Sequence, residues 1–233
     1  MGRTTPNAVG LLLFSERTLT ITGGERNMVE NIHWLGHDGF RMDGKATIYV
    51  DPWNLSAGTP KADLILITHD HYDHCSPDDV AKISTEDTVI VTIAAAAHQL
   101  KGDVRVVKAG DSLTVGDTPI EVVPAYNVNK HFHPQSAGHV GFIFTVGDKR
   151  IYHAGDTDLI PEMDSIEADI ALLPVSGKYV MTADEAVQAA QKINPQVAIP
   201  MHYGAGVAGS IKDAKRFHDL LQGKVKVVIP PQE

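Results

Sequence analysis

Seven residues, Thr68-His69-Asp70-His71-Tyr72-Asp73-His74, constrain this chain more than any other stretch. They pack three imidazoles and two carboxylates into one short run. Neutral imidazole and carboxylate are the ligand types that Zn, Mn and Fe accept. The run follows Leu64-Ile65-Leu66-Ile67, which has the length and composition of a buried strand. If the backbone leaves that strand extended, His69 and His71 point to one side, because side chains alternate with period two. Asp73 and His74 then face a common pocket from the following turn. The null alternative is a His-rich surface loop, which this density of ligand types after a buried strand disfavours.

The remaining composition bounds the answer. With 233 residues, 43% hydrophobic and 21% charged, the chain can bury one substantial core. One domain is expected over residues 29–233. Residues 1–28, with an apolar patch at 9–14 between Thr- and Gly-rich flanks, are expected to be a loosely docked or disordered N-terminal extension, with Met28 as a candidate natural start. A net charge of -9 argues against nucleic acid or an anionic membrane as partner, since phosphate backbones select basic surfaces. A small-molecule substrate is the expected partner, and the oligomeric state is open. Cys75 is the only cysteine, so no intrachain disulfide forms and a cytoplasmic, reducing compartment is expected. No apolar run approaches the ~20 residues needed to span a bilayer.

Short apolar runs separated by turn residues predict strands over 32–35, 40–42, 47–50, 64–67, 88–93, 104–108, 112–115, 119–123, 140–146, 150–153, 169–173, 196–200 and 225–229. Helices are predicted over 77–84, 94–100, 183–193 and 211–221. Ser76 with Pro77, Thr182 with Glu185, and Ser210 supply their start signals. A polar loop over 124–138, holding His131 and His133, is too long for a plain connection and invites a functional role. The layout is β-rich first and then alternating β and α, loosely repeated in both halves.

Polar residues recur at the ends of apolar strands: Asp51, His69, Asp156 and His202. In layered α/β proteins, ligands gather at strand ends. The pattern resembles the metallo-β-lactamase superfamily, whose HxHxDH signature is matched by His69-x-His71-x-Asp73-His74. Ala154-Gly155-Asp156-Thr157 and Pro200-Met201-His202-Tyr203-Gly204 match its later motifs in order, and the likeness covers about residues 30–229. Within the superfamily the chain looks most like small hydrolases related to L-ascorbate-6-phosphate lactonase, and more distantly like the N-acyl-phosphatidylethanolamine phospholipase D branch. The resemblance implies an α/β fold, a four-layered αβ/βα sandwich with two mixed sheets flanked by helices. It also implies two divalent metal ions, zinc foremost, with Mn or Fe also fitting.

The implied roles follow residue by residue. His69 and His71 would bind one ion together with a third histidine; Asp73, His74 and His202 would bind the other; Asp156 would bridge them, and Asp51 would orient ligands. Relatives supply the third histidine just after the strand that here ends Val123-Pro124-Ala125, where this chain has Tyr126-Asn127. His133 is favoured for that place because Pro134 stiffens the chain beside it. His131 is the alternative, and His139 reads as a structural residue. A hydroxide between the ions would attack an ester, lactone or phosphoester, with Asp73 orienting the water and His153 protonating the leaving group. His37 could face the site or merely close a turn, and Tyr203 is expected at the pocket. Loops over 53–59, 131–138 and 203–209 are expected to wall it. His33, His98 and His218 read as structural or surface residues, and Cys75 as a small buried thiol. Competing readings are an iron redox enzyme of the same fold, of the persulfide dioxygenase or diiron type, a phosphodiesterase or nuclease, and a non-catalytic binding module.

Overall fold

The apolar run Leu64–Ile67 is a strand whose every residue is buried, and it lies inside the first of two sheets. The computed structural model describes residues 29–233, so the extension expected over 1–28 lies outside the described residues. In chain order the first sheet holds β1 (Ile32–Gly36), β2 (Gly39–Met42), β3 (Ile48–Val50), β4 (Leu64–Ile67), β5 (Val89–Thr92) and β6 (Asp103–Val106), side by side in that order. The second holds β7 (Ser112–Val115), β8 (Thr118–Pro124), β9 (Val140–Val146), β10 (Lys149–His153), β11 (Ile170–Pro174), β12 (Val197–Met201) and β13 (Lys226–Val227), again in sequence order. Each sheet is mixed in the same way. Pairs up to β3 and from β7 to β10 are antiparallel, whereas β3 to β6 and β10 to β13 are parallel.

Parallel neighbours need long crossovers. Helices α1 (Pro77–Ile83), α2 (Ala94–Ala97), α3 (Ala183–Ile193) and α4 (Ile211–Leu221) lie on four of them. The helix starts are where the sequence places them. The Ser76 hydroxyl accepts from Asp79 N, and Thr182 with Glu185 forms a capping box, as does Ser210 with Asp213. β4, β11 and β12 are buried throughout, as expected for parallel strands covered on both faces. The first five residues of β8 alternate buried and exposed, the mark of a strand with one wet face. One apolar core runs from Phe40 and Leu66 of the first sheet to Phe142 and Leu172 of the second. The architecture is thus the expected α/β arrangement of two mixed sheets flanked by helices.

Differences from the sequence reading lie at the ends. The helix expected over 94–100 is regular only over Ala94–Ala97, and the last strand shrinks to Lys226–Val227. Beyond it the chain crosses to β1, where Gln232 pairs with Trp34 and Glu233 N donates to Trp34 O at 3.0 Å. Arg41 holds the Glu233 carboxylate at 2.9 Å. What positions the site is strand direction. β3, β4, β10, β11 and β12 deliver Asp51, Thr68, Ala154, Val175 and His202 in turn from their C-terminal ends.

Candidate metal centre

The residue after β4, Thr68, is caught at once by the residue after β3, Asp51. Asp51 Oδ1 accepts from Thr68 N at 2.8 Å and Oδ2 accepts from Thr68 Oγ1 at 2.7 Å. That hydroxyl has one proton and gives it to Asp51, so at its 2.9 Å contact with His69 it accepts from Nδ1–H. His74 Nδ1 is 2.8 Å from the same Asp51 carboxylate and donates to it. His133 Nδ1–H donates to the carbonyl of Tyr179 at 3.3 Å. These assignments follow from the hydrogen-bond network. In the neutral form of each ring, Nε2 is left as a lone pair, and all three face the cluster.

The inward atoms stand at ligand spacing. His71 Nδ1 is 3.1 Å from His69 Nε2 and 3.3 Å from His133 Nε2. Asp156 Oδ2 is 3.2 Å from both His133 Nε2 and His202 Nε2, and Oδ1 is 3.5 Å from His74 Nε2. These separations also match two ligands ~2.0–2.1 Å from one tetrahedral ion, which stand about 3.4 Å apart. Buried polar atoms without a hydrogen-bond partner include His74 Nε2, Asp156 Oδ1, His37 Nδ1 and both oxygens of Asp38. Such atoms are costly unless something charged meets them. Three groups have ligand atoms mutually within 4.8 Å: His69, His71 and His133; His69, His74 and Asp156; and His37, Asp38, His74 and His202. The donor set therefore fits divalent cations.

Electrostatics point the same way. Burial pushes Asp156 up, but the charges and hydrogen bonds of His202 and His74 outweigh it and hold the carboxyl well below the usual range. Burial would lower His74, yet Asp156 and Asp51 raise it well above the ordinary imidazole value. Burial lowers His69 strongly and His133 less so. The space before His74 Nε2 therefore takes either a proton or a cation, and a bound ion would displace the proton.

The backbone is bent to present these groups. His37, Asp51 and His202 have φ of 52°, 44° and 61°, in the left-handed region, which the two histidines occupy at a cost. Gly155, at φ +63°, precedes Asp156, and a Cβ there would meet Val140 O at 2.8 Å. The long loop is pinned to fix His133. Asn127 Oδ1 accepts from His133 N at 2.9 Å, Asn127 Nδ2 donates to Tyr179 O at 2.8 Å, and Lys130 reaches the buried Asp158 carboxylate at 2.5 Å.

The structure brings together His69, His71, His133, His74, Asp156 and His202, with Asp51 behind them. Asp73, expected as a ligand of the second ion, lies at the cleft outside the three ligand groups, its Oδ2 turned to His37 Nε2 at 3.1 Å. Burial would raise the Asp73 carboxyl, but the neighbouring His37 and the His74 charge lower it below its usual value. His37 is buried with its ring 4.2 Å from that of His202, which places it against the cluster. His131 is exposed and outside the ligand groups. His153 corrects the sequence reading. Fully buried, it donates from Nε2–H to Asp38 O at 2.9 Å and accepts from Gly155 N at Nδ1, so neither nitrogen is free to protonate a leaving group. Tyr203 also departs from expectation. It is 2% exposed and stacked on Trp34 at 4.7 Å, and burial pushes its hydroxyl up to about 12. His139 stacks under His69 at 4.6 Å, the structural place expected of it.

Sequence reasoning missed Asp38, Ser176, Asn127 and the Tyr179 carbonyl. Ser176 Oγ lies 2.8 Å from His202 Nδ1. Asp38 sits in Gly36-His37-Asp38-Gly39, which reads as a wet turn, and a buried carboxylate leaves no mark in such a stretch. A backbone carbonyl leaves none anywhere.

With the fold and this geometry established, comparison places the chain. The sequence model of the beta-lactamase superfamily domain matches residues 31–202. The chain is 34% identical over 187 residues to a UPF0173 metal-dependent hydrolase of Thermoplasma acidophilum, covering 74% of this chain and 82% of that one. A crystal structure described as a metal-dependent hydrolase from Parabacteroides distasonis superposes with a TM-score of 0.77 at 34% identity, covering 87% of this chain and 93% of that one. Igni18, a metallo hydrolase from Ignicoccus hospitalis, gives a TM-score of 0.70 at 25% identity over 87% and 95%. The chain belongs to the beta-lactamase superfamily and, within it, to the UPF0173 family of metal-dependent hydrolases. Among the described residues no helix is long and apolar enough to cross a membrane.

Proposed function

We propose that the chain holds two divalent ions, zinc foremost, and hydrolyses a small-molecule ester, lactone or phosphoester. The observation that carries this is the set of three imidazoles, His69, His74 and His133, whose outer nitrogens are engaged and whose Nε2 atoms converge on one carboxylate-lined space. His69, His71 and His133 would hold one ion, His74 and His202 the other, with Asp156 between. Such ions supply an acidified water and a Lewis acid for the scissile oxygen. Asp73, ionised and facing the cleft, would orient the attacking water. Asp51 fixes the rings of His74 and, through Thr68, of His69, as an outer carboxylate does in histidine metal sites. A single cysteine, Cys75, suits the cytoplasm, and the acidic net charge makes nucleic acid and membrane surfaces poor partners.

Elemental analysis of protein reconstituted with zinc and freed of excess should give about two ions per chain, one for His69, His71 and His133 and one for His74 and His202. Hydrolysis of activated ester or phosphoester substrates should appear with metal and vanish on chelation. Protein that takes up no divalent ion, or turnover that survives chelation, would refute the proposal.

A further inference from the structure

Beside the ligand cluster lies a cleft of about 280 Å³ with two unlike surfaces. Its floor is polar, made by His71, Asp73, His133, Asp156 and His202, while its walls are Tyr72, Phe132, Tyr179 and Val207. Among the described residues no Lys or Arg lines it. Lys130 is committed to Asp158, and Lys178 lies over the Tyr179 ring at 4.6 Å without being one of the lining residues. Tyr72 and Phe132, 68% and 49% exposed, are among the most exposed large apolar side chains of the described residues, and both stand at this cleft. They are held before anything binds. Tyr72 meets the edge of Trp53 at 5.9 Å, and Phe132 meets Tyr179 edge-on at 4.6 Å.

Resting on the hydrolase reading above, we propose that the substrate is an uncharged carboxylic ester or lactone whose apolar or aromatic substituent is clamped between Tyr72 and the Phe132–Tyr179 pair. The floor reads the scissile group and the walls read what is attached to it. A substituent carrying its own phosphate or carboxylate finds no arginine or lysine among the residues that line the cleft, so its charge goes unpaired away from the floor, which disfavours it. An apolar one covers ring faces that otherwise stay wet. The chemistry balances without a further reactant. The oxygen of water bonds to the acyl carbon, the acyl C–O bond breaks, one water proton ends on the alcohol and the other is released to solvent as the acid product ionises to the carboxylate.

The experiment uses the zinc-loaded full chain with p-nitrophenyl acetate, butyrate and hexanoate, and with bis-p-nitrophenyl phosphate. In parallel, metal-free protein is titrated with ethyl hexanoate and with hexyl phosphate, followed by ligand-observed NMR. We expect kcat/KM to rise by about threefold per added methylene, and the uncharged ester to bind metal-free protein in preference to the phosphate. Phe132→Ala and Tyr72→Ser, both at exposed positions, should flatten the chain-length series and weaken ester binding about tenfold. Turnover that ignores chain length, or that favours the phosphodiester, would overturn the clamp and leave the hydrolase standing. Selective ester binding with no turnover of any substrate would overturn the hydrolase and leave the clamp.

Discussion

Two nests of ligands meet at Asp156, and they make opposite demands on protons. His69, His71 and His133 form a nest of imidazoles whose outer partners, at His69 and His133, are neutral: a hydroxyl and a carbonyl. Burial drives His69 and His133 below the ordinary histidine value, so near neutral pH their lone pairs are ready for an ion. His74 and His202 form the second nest, with His37 and Asp38 packed in, and all four are buried. Here Asp51 and Asp156 raise His74 against the pull of burial, so a cation arriving at its Nε2 must evict a proton. Identical side chains a few ångströms apart thus differ in how readily they give up a proton, because burial prevails at His69 and His133 whereas the Asp156 and Asp51 carboxylates prevail at His74.

Three experiments probe that contrast. The largest effect is expected from Asp156→Ala, since one oxygen faces His133 and His202 and the other faces His74. Metal should be lost from both nests and turnover should fall more than about a hundredfold, beyond the range for outer-partner changes. Retention of one full equivalent by elemental analysis would show that the nests are independent. Next comes proton linkage. His74 is raised, so it is protonated below its folded value and a bound ion competes best above it. The affinity of the second nest should weaken up to about tenfold per unit as pH falls, while the imidazole nest changes far less near neutrality. Calorimetry in buffers of different ionisation heat would detect the released proton, and equal pH slopes at both sites would erase the distinction. The smallest effect is expected from Asn127→Ala, which frees His133 N and Tyr179 O together. It should weaken the imidazole nest about tenfold and leave the other unchanged. An equal loss at both would mean that Asn127 supports the fold rather than the ligand.

How much of this was legible depended on how each group is encoded. The run from His69 to His74 could be read directly, because strand periodicity converts sequence spacing into direction. His202 and Asp156 could be read from their places after apolar runs. The strands followed from the order of short runs and the helix starts from the caps at Ser76, Thr182 and Ser210, whereas their division into two sheets came from the resemblance to the metallo-β-lactamase superfamily. His133 was reached only through the length of its loop and the adjoining Pro134, since what holds it in place is a side-chain amide and a carbonyl far away in sequence. His153 misled for a related reason. Its position at the end of β10 resembles that of the ligands, but its ring turns inward to Asp38 O and Gly155 N. Direction after a strand end is set by tertiary hydrogen bonds, which no local pattern carries.

The left-handed backbone at His37 and His202 has a consequence for selection. Each such residue holds the chain in a conformation costing about 1–3 kcal/mol, which glycine would adopt almost freely. Glycine there would relieve the backbone but leave a cavity where a buried imidazole packs. A library sorted only for heat resistance should therefore abandon histidine at 37 and 202 only together with neighbours that refill the space, erasing the centre. Sorting for bound metal should keep both histidines at the expense of thermal tolerance.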